Sequence, residues 1–299
     1  DLGIEIPSKV VGIGGSIRAV SKIIMEKNNY PLDILHGYTY NVKNENTLFN
    51  KIINARNNDD LKSIGVKKDR FDTIKEGSFI FKTILDELNI KEVVSSGVGV
   101  REGVYLTDLL RNSNHKFPEN FNVSVRSLLD RFQIDEKQSA FMGNNAGKIF
   151  DILKPMHNLD NKFRTLLVVA SKLHSIGSTL NFYKSNDNAF DFILNGLNYD
   201  FLHTSRVIVA YTIKFSKKSL PSQEDILKHK DLLPSLEVVQ WMSFMISLNI
   251  AINQDFSRPK VEYVLESKTL KINLPNKSFL IESNIDKIET PQDLILEIL

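Results

Sequence analysis

One stretch constrains the fold more than any other: Glu92-Val93-Val94-Ser95-Ser96-Gly97-Val98-Gly99-Val100-Arg101-Glu102-Gly103. It opens as a short β-rich apolar run, breaks into glycines and ends on an Arg-Glu-Gly turn. A helical pattern is predicted from Val104 to Arg111. A strand that stops at glycines and hands over to a helix gathers backbone N–H groups at one point, which suits a bound anion such as phosphate. The chain before this stretch reads as α/β and the chain after it as mainly α.

A second strand–glycine–helix junction stands near the start. Lys9-Val10-Val11-Gly12-Ile13-Gly14-Gly15-Ser16 reads as strand and turn, followed by a helix with Ile17, Val20, Ile23 and Ile24 on one face. Ser16 is the predicted N-cap, and Gly14-Gly15 lets the backbone approach a ligand closely. A glycine-rich turn with no ligand fits the same residues. Further on, Tyr38 to Tyr40 suggests a short strand and Glu45 to Ala55 a helix. Asp69 is expected to cap a helix reaching Leu88. Gly77 inside that helix costs about 1 kcal/mol against alanine, which points to close packing. Arg70, in the predicted first turn, is either a solvated arginine or an anion contact.

Asn112 to Asn122 reads as a linker. Beyond it helices are predicted at Val123–Phe132, Glu136–Leu153, Lys162–Ile176, Ala189–Leu197, His203–Phe215 and Leu236–Ile252. Trp241 in the last of these reads as core. Short strands are expected at Val261–Leu265, Thr269–Leu274 and Ser278–Ile281, and a final helix at Gln292–Leu299. The first half then holds two clear strands, too few for an open sheet. Partner strands are expected upstream of Asp1, so that the chain begins within a longer protein. A net charge of +2 supports no strong claim for nucleic acid or membrane. The absence of cysteine excludes disulfides, thiol catalysis and zinc-thiolate sites, and fits a reducing, cytoplasmic setting.

Taken in this order, the motifs resemble the second half of the exopolyphosphatase / guanosine pentaphosphate phosphohydrolase (Ppx/GppA) family. Gly12-Ile13-Gly14-Gly15-Ser16 is similar to its G-x-G-G-T turn. Asp69-Arg70-Phe71-Asp72 with Glu76-Gly77 resembles its arginine-bearing helix, and Gly97 to Gly103 its G-x-R-E-G signature. The resemblance implies three parts: an incomplete actin/Hsp70-like (ribonuclease H-like) domain over 1–115, an HD-like helical domain over 116–255, and a small α+β segment over 256–299. It implies a phosphohydrolase that releases terminal phosphate from polyphosphate or guanosine pentaphosphate. The family's catalytic glutamate and phosphate loop are expected outside this chain, leaving the fragment inactive alone. Magnesium is expected in the complete enzyme, bound mostly by residues upstream of this chain.

Under that resemblance the residues expected to line the phosphate site are Gly14, Gly15, Ser16, Arg70, Gly99, Arg101 and Glu102. Arg101 and Glu102 fit equally an internal ion pair that braces the turn. Lys9, Arg18 and Lys22 are candidates for a basic groove. In the helical part, Met156-His157-Asn158-Leu159 and Leu173-His174-Ser175-Ile176-Gly177 resemble HD-domain segments. Ser175 replaces the expected aspartate, Ser185-Asn186-Asp187-Asn188 the histidine cluster, and Ser216-Lys217-Lys218 a later histidine. The helical domain is therefore expected to hold no metal. The expected partners are polyphosphate or guanosine tetra- and pentaphosphate, without DNA or membrane, and a homodimer is allowed. The alternative is a non-catalytic module that binds an alarmone or a partner protein through the degenerate HD domain.

Overall fold

The computed structural model describes residues 7–119, 121–275 and 278–299. The chain divides into two compact units, Asp1–Phe121 and Asn122–Leu299.

In the first unit, β1 (Lys9–Gly12) leads into α1 (Gly15–Lys27), followed by β2 (Thr39–Asn41), α2 (Asn46–Ile53), α3 (Asn58–Ser63), α4 (Ile74–Glu87), β3 (Glu92–Ser95) and α5 (Val100–Leu109). The three strands make one sheet in the order β1-β3-β2. β1 runs parallel to β3, with Gly12 opposite Ser95, and β2 runs antiparallel to it. β3 is central because its Val93 and Ser95 point into the core while both its edges are paired. Val20, Ile24, Phe49, Ile52, Ile74, Leu85 and Val93 form that core, drawn from the inward faces of α1, α2, α4 and the sheet. Ser95 Oγ donates to Ser21 Oγ at 2.5 Å, a buried polar pair satisfied across β3 and α1.

Several boundaries depart from expectation. α1 starts at Gly15 with Gly14 as N-cap, and no side chain caps it, so Ser16 is not the cap. Lys68–Arg70 forms a separate 3₁₀ turn, and α4 begins only at Ile74, after Thr73. Arg70 thus precedes the helix instead of opposing its dipole. α5 begins at Val100, four residues earlier than expected, because Glu102 caps its start.

The second unit is helical: α6 (Val123–Arg131), α7 (Glu136–His157), α8 (Asn161–Leu173), α9 (Ser185–Gly196), α10 (His203–Lys214), α11 (Gln223–Ile226), α12 (Leu236–Ile252) and α13 (Phe279–Ile285). α12 is apolar on every side and correspondingly buried, with Trp241, Phe244, Met245 and Leu248 at its centre. A small sheet, β4 (Glu262–Glu266), β5 (Thr269–Asn273) and β6 (Ile295–Ile298), belongs to the same unit.

Two expectations fail here. Ser278–Ile281 is not a strand: Ile281 and Ile285, one helical turn apart, are both buried by α13. The last segment is not a helix: β6 pairs parallel with β5, Leu296 opposite Leu270, and its residues alternate between exposed and half-buried. Among the described residues no single helix is long and apolar enough to cross a membrane.

Candidate functional site

Because β1 and β3 are neighbouring parallel strands, their C-terminal tips lie side by side. The Ser96 N–H donates to the Gly12 carbonyl at 2.9 Å, so the two glycine turns meet at one edge of the sheet. In open α/β sheets that edge is where ligands bind.

The first turn is left open. Gly14 sits at φ 122°, where a side chain would be strained, and swings the chain into α1. No side chain caps α1, and its first turn holds no acidic residue, so the positive end of its dipole is unopposed there. Arg70 lies against Gly15: a Cβ at that position would stand 2.5 Å from the Arg70 Nη1. Arg70 is held by Asp69 at 3.3 Å and is 42% exposed. Arg18, one turn into α1, reaches across to donate to the Gly97 carbonyl at 3.2 Å. These groups open into a cleft of about 260 Å³ between α1 and the 65–70 segment, with Lys22 and Lys67 also on its wall.

The second turn is closed on itself. The Gly97 N–H donates to His36 Nδ1 at 3.0 Å, the Val98 N–H to Ser96 Oγ at 3.3 Å, and the Gly99 N–H to the Glu102 carboxylate at 2.8 Å. The Gly99 hydrogen bond, with the nearby Arg101 and Arg18 charges adding to it, holds the Glu102 carboxyl below the usual carboxylate range. Glu102 therefore braces the turn by capping α5, not by pairing with Arg101.

The remaining expected residues separate accordingly. Gly14, Gly15 and Arg70 are together at the open turn. Ser16 Oγ is turned to the Thr73 carbonyl at 3.4 Å and rests on Gly77, where a Cβ would come within 2.7 Å of the Ser16 Cβ. That contact is why α4 carries a glycine. Gly99 and Glu102 serve the closed turn, and Arg101 is exposed beside them. Lys9 sits at the opposite end of β1 and pairs with Glu92 at 2.7 Å, away from the cleft. Sequence reasoning misses His36, and no local pattern marks it: its partner lies 61 residues away.

In the helical unit, both ring nitrogens of His157 are engaged by backbone. Nδ1 accepts from the Leu159 N–H at 2.9 Å, so Nε2 carries the proton and donates to the Phe150 carbonyl at 2.9 Å. Burial pushes the His157 pKa down. His174 Nδ1 meets the Ser171 carbonyl at 2.8 Å, and burial likewise lowers its pKa. Asn186, within the segment replacing the expected histidine cluster, donates to Ser216 Oγ at 3.2 Å and ties that segment to the end of α10. Gly177 allows the 3₁₀ turn Ile176–Thr179 to touch α9, since a Cβ there would overlap the Ser185 carbonyl oxygen.

The cleft's donor set suits anions. Magnesium requires several oxygen ligands in near-octahedral array, whereas this wall carries Arg18, Lys22, Lys67 and Arg70 against two carboxylates, Asp69, which is tied to Arg70, and Glu26, eleven residues along α1 from Gly15. These residues do not fit a magnesium site. Among the described residues no group of three His, Asp or Glu side chains is placed to hold a metal.

An α/β unit with paired glycine turns and an arginine-lined cleft, joined in sequence to a helical unit, is a frame open to an anionic ligand. Profile comparison agrees: the Ppx/GppA phosphatase family matches residues 3–112, and the Ppx/GppA phosphatase, domain III, matches residues 122–291. The chain belongs to the Ppx/GppA phosphatase family. Guanosine-5'-triphosphate,3'-diphosphate pyrophosphatase of Photobacterium profundum is 24% identical over 165 residues, 55% of this chain and 32% of the relative. The protein of the same name from Aeromonas hydrophila is 25% identical over 180 residues, 60% of this chain and 34% of the relative. The chain spans about a third of the length of these curated relatives.

Proposed function

We propose that this chain forms the anion-binding wall of a phosphohydrolase that releases terminal phosphate from inorganic polyphosphate or guanosine pentaphosphate. One observation carries the reading: the uncapped start of α1 at Gly14-Gly15 opens beside Arg18 and Arg70 in a cleft. The names of the relatives support the substrate class. The phosphoryl end is held by the backbone N–H groups of α1 and by Arg70. Hydrolysis also needs a positioned water, a carboxylate base and a metal to spread charge. Glu102 and Asp69 are engaged by Gly99 and Arg70, and the family resemblance puts base and metal ligands outside 1–299.

Residues 1–115 then correspond to part of an actin-like domain, and 116–255 to an HD-like domain serving structure or regulation. Support for the latter is the engagement of His157 by Phe150 and Leu159. The test is phosphate release from polyphosphate and guanosine pentaphosphate, with magnesium, by the full-length protein and by residues 1–299. Release by the full-length protein with none by 1–299 is expected. Release from neither substrate by the full-length protein overturns the reading, and robust turnover by 1–299 overturns the assignment of the base elsewhere.

A further inference from the structure

The helical unit holds a cavity of about 70 Å³ between α7 and the C-terminal ends of α8 and α12. Three polar atoms of the residues lining it have no protein partner among the described residues. Ser139 on α7 is only 4% exposed, and its hydroxyl makes no hydrogen bond. Lys172 lays its stem across α7 where Gly143 leaves room, since a Cβ there would stand 2.7 Å from the lysine Cε. Gly143 follows Ser139 by about one helical turn, so the stem runs on the same face as that hydroxyl. The Lys172 ammonium has neither an ion pair nor a hydrogen bond. His174 meets the Ser171 carbonyl through Nδ1 at 2.8 Å. A carbonyl only accepts, so Nδ1 carries the proton and Nε2 keeps a bare lone pair. Buried polar atoms left this way cost free energy, and the cavity has room for more than a single water.

The rim is held in place by its own hydrogen bonds. Gln138 Nε2 donates to the Phe256 carbonyl at 2.7 Å, and Asn253 Nδ2 to Gln138 Oε1 at 2.8 Å. The Arg258 N–H donates to Asn253 Oδ1 at 2.8 Å. Gln138 and Asn253 are thereby spent on the turn that brings Phe256 to the cavity, which leaves Ser139, Lys172 and His174 to face a ligand.

We infer that this cavity binds a small tetrahedral oxyanion that carries a proton, of the hydrogen phosphate type. The Lys172 ammonium and the Ser139 hydroxyl donate to its oxygens, and its own O–H donates to His174 Nε2. Burial lowers the His174 pKa and so keeps the ring in its accepting form. Sulfate has nearly the same size and shape but no proton at neutral pH, so it sets an oxygen lone pair against that of Nε2. A carboxylate fails for the same reason. The site lies within the helical unit and stands apart from the reading of the α1 cleft.

Calorimetric titration of residues 1–299 carrying Arg18→Ala/Arg70→Ala, which removes the α1 cations, tests this with inorganic phosphate and sulfate at neutral pH and fixed ionic strength. The His174 ring nitrogens are followed in parallel by NMR. A hydrogen bond to a charged group is worth about 10-fold or more. Phosphate is therefore expected to bind at least about 10-fold tighter than sulfate and to shift His174 Nε2. Lys172→Met is expected to weaken phosphate by about 10-fold. His174→Gln, whose amide donates, is expected to bring sulfate level with phosphate, a change of selectivity that lost packing does not produce. If His174→Gln fails to fold, Lys172→Met and the His174 signal decide the matter. Equal binding of the two ions before His174 is changed overturns the inference. So does phosphate binding unchanged in Lys172→Met, a His174 Nε2 signal that phosphate does not move, or no phosphate binding at all.

Discussion

The two glycine turns are neighbours in space and near-equivalents in sequence, yet they are finished in opposite ways. Both follow a short parallel strand and both feed a helix. At Gly97–Gly99 each backbone N–H has an acceptor from the protein itself: His36, Ser96 and Glu102. The carboxylate of Glu102 occupies the helix start that an outside anion would need. At Gly14–Ser16 no such side chain intervenes, and arginines gather instead. A glycine-rich strand–helix turn is thus a place where an anion can go, and the residues three to four positions later decide whether the protein supplies that anion. Arg18 links the two, holding the closed turn through the Gly97 carbonyl while flanking the open one.

The largest expected effect comes from removing cations at the open turn. Charge-assisted contacts contribute about 1.5–3 kcal/mol each, toward the lower end at a half-exposed site. The double variant Arg18→Ala/Arg70→Ala should therefore weaken tripolyphosphate binding by roughly 100-fold, read by calorimetry at fixed ionic strength. Removing Arg101, exposed beside the closed turn, should change it little. If Arg101→Ala matches the double variant, the division between an open and a closed turn is lost.

Next in size is a stability effect that separates packing from binding. Gly77→Ala replaces a poor helix former, worth about 1 kcal/mol in favour of the variant. It also drives a methyl into Ser16, whose Cβ cannot swing away. Overpacking of this kind costs about 1–3 kcal/mol, so a net loss is expected in chemical denaturation. Adding Ser16→Gly should recover it. Recovery without loss of tripolyphosphate binding would show that Ser16 Oγ serves α4 and not the ligand, and no recovery would place the strain elsewhere.

How much of this is readable from the chain depends on whether the signal is local. The β1–α1 and β3–α5 junctions announce themselves, because strand residues, glycines and helical periodicity are consecutive. The Gly77 contact is legible as a misfit, a glycine where the helix wants none, though the residue that fills the gap is not. Glu102 stands three positions after Gly99, the spacing of a capping box, but the adjacent Arg101 offers an ion pair as readily, and only the folded turn shows the carboxylate on the Gly99 N–H. His36 on Gly97 and Arg70 on Gly15 are beyond reach, since each joins residues more than 50 positions apart that only the folded unit brings together. The terminal segment misleads for another reason. Leu294-Ile295-Leu296-Glu297-Ile298-Leu299 is apolar at almost every position, so neither a two-residue nor a 3.6-residue period stands out, and pairing with β5 decides.

The smallest expected effect is the most direct test of why the second turn is closed. Glu102 is ionised in the folded protein more readily than in the unfolded chain, because the Gly99 N–H stabilises its charged form. A carboxyl whose pKa is lowered on folding adds stability above its unfolded pKa, and that gain disappears as pH falls through the lower folded value. Glu102→Gln should therefore lower the melting temperature modestly near neutral pH, and the gap from the parent chain should close in acid. Tripolyphosphate binding should be unchanged at neutral pH, since the carboxylate faces Gly99 and not the α1 cleft. A gap that persists in acid would mean the side chain acts through shape and not charge. Tighter tripolyphosphate binding in Glu102→Gln, with a second equivalent taken up, would mean the closed turn is a latent anion site that its own glutamate merely occupies.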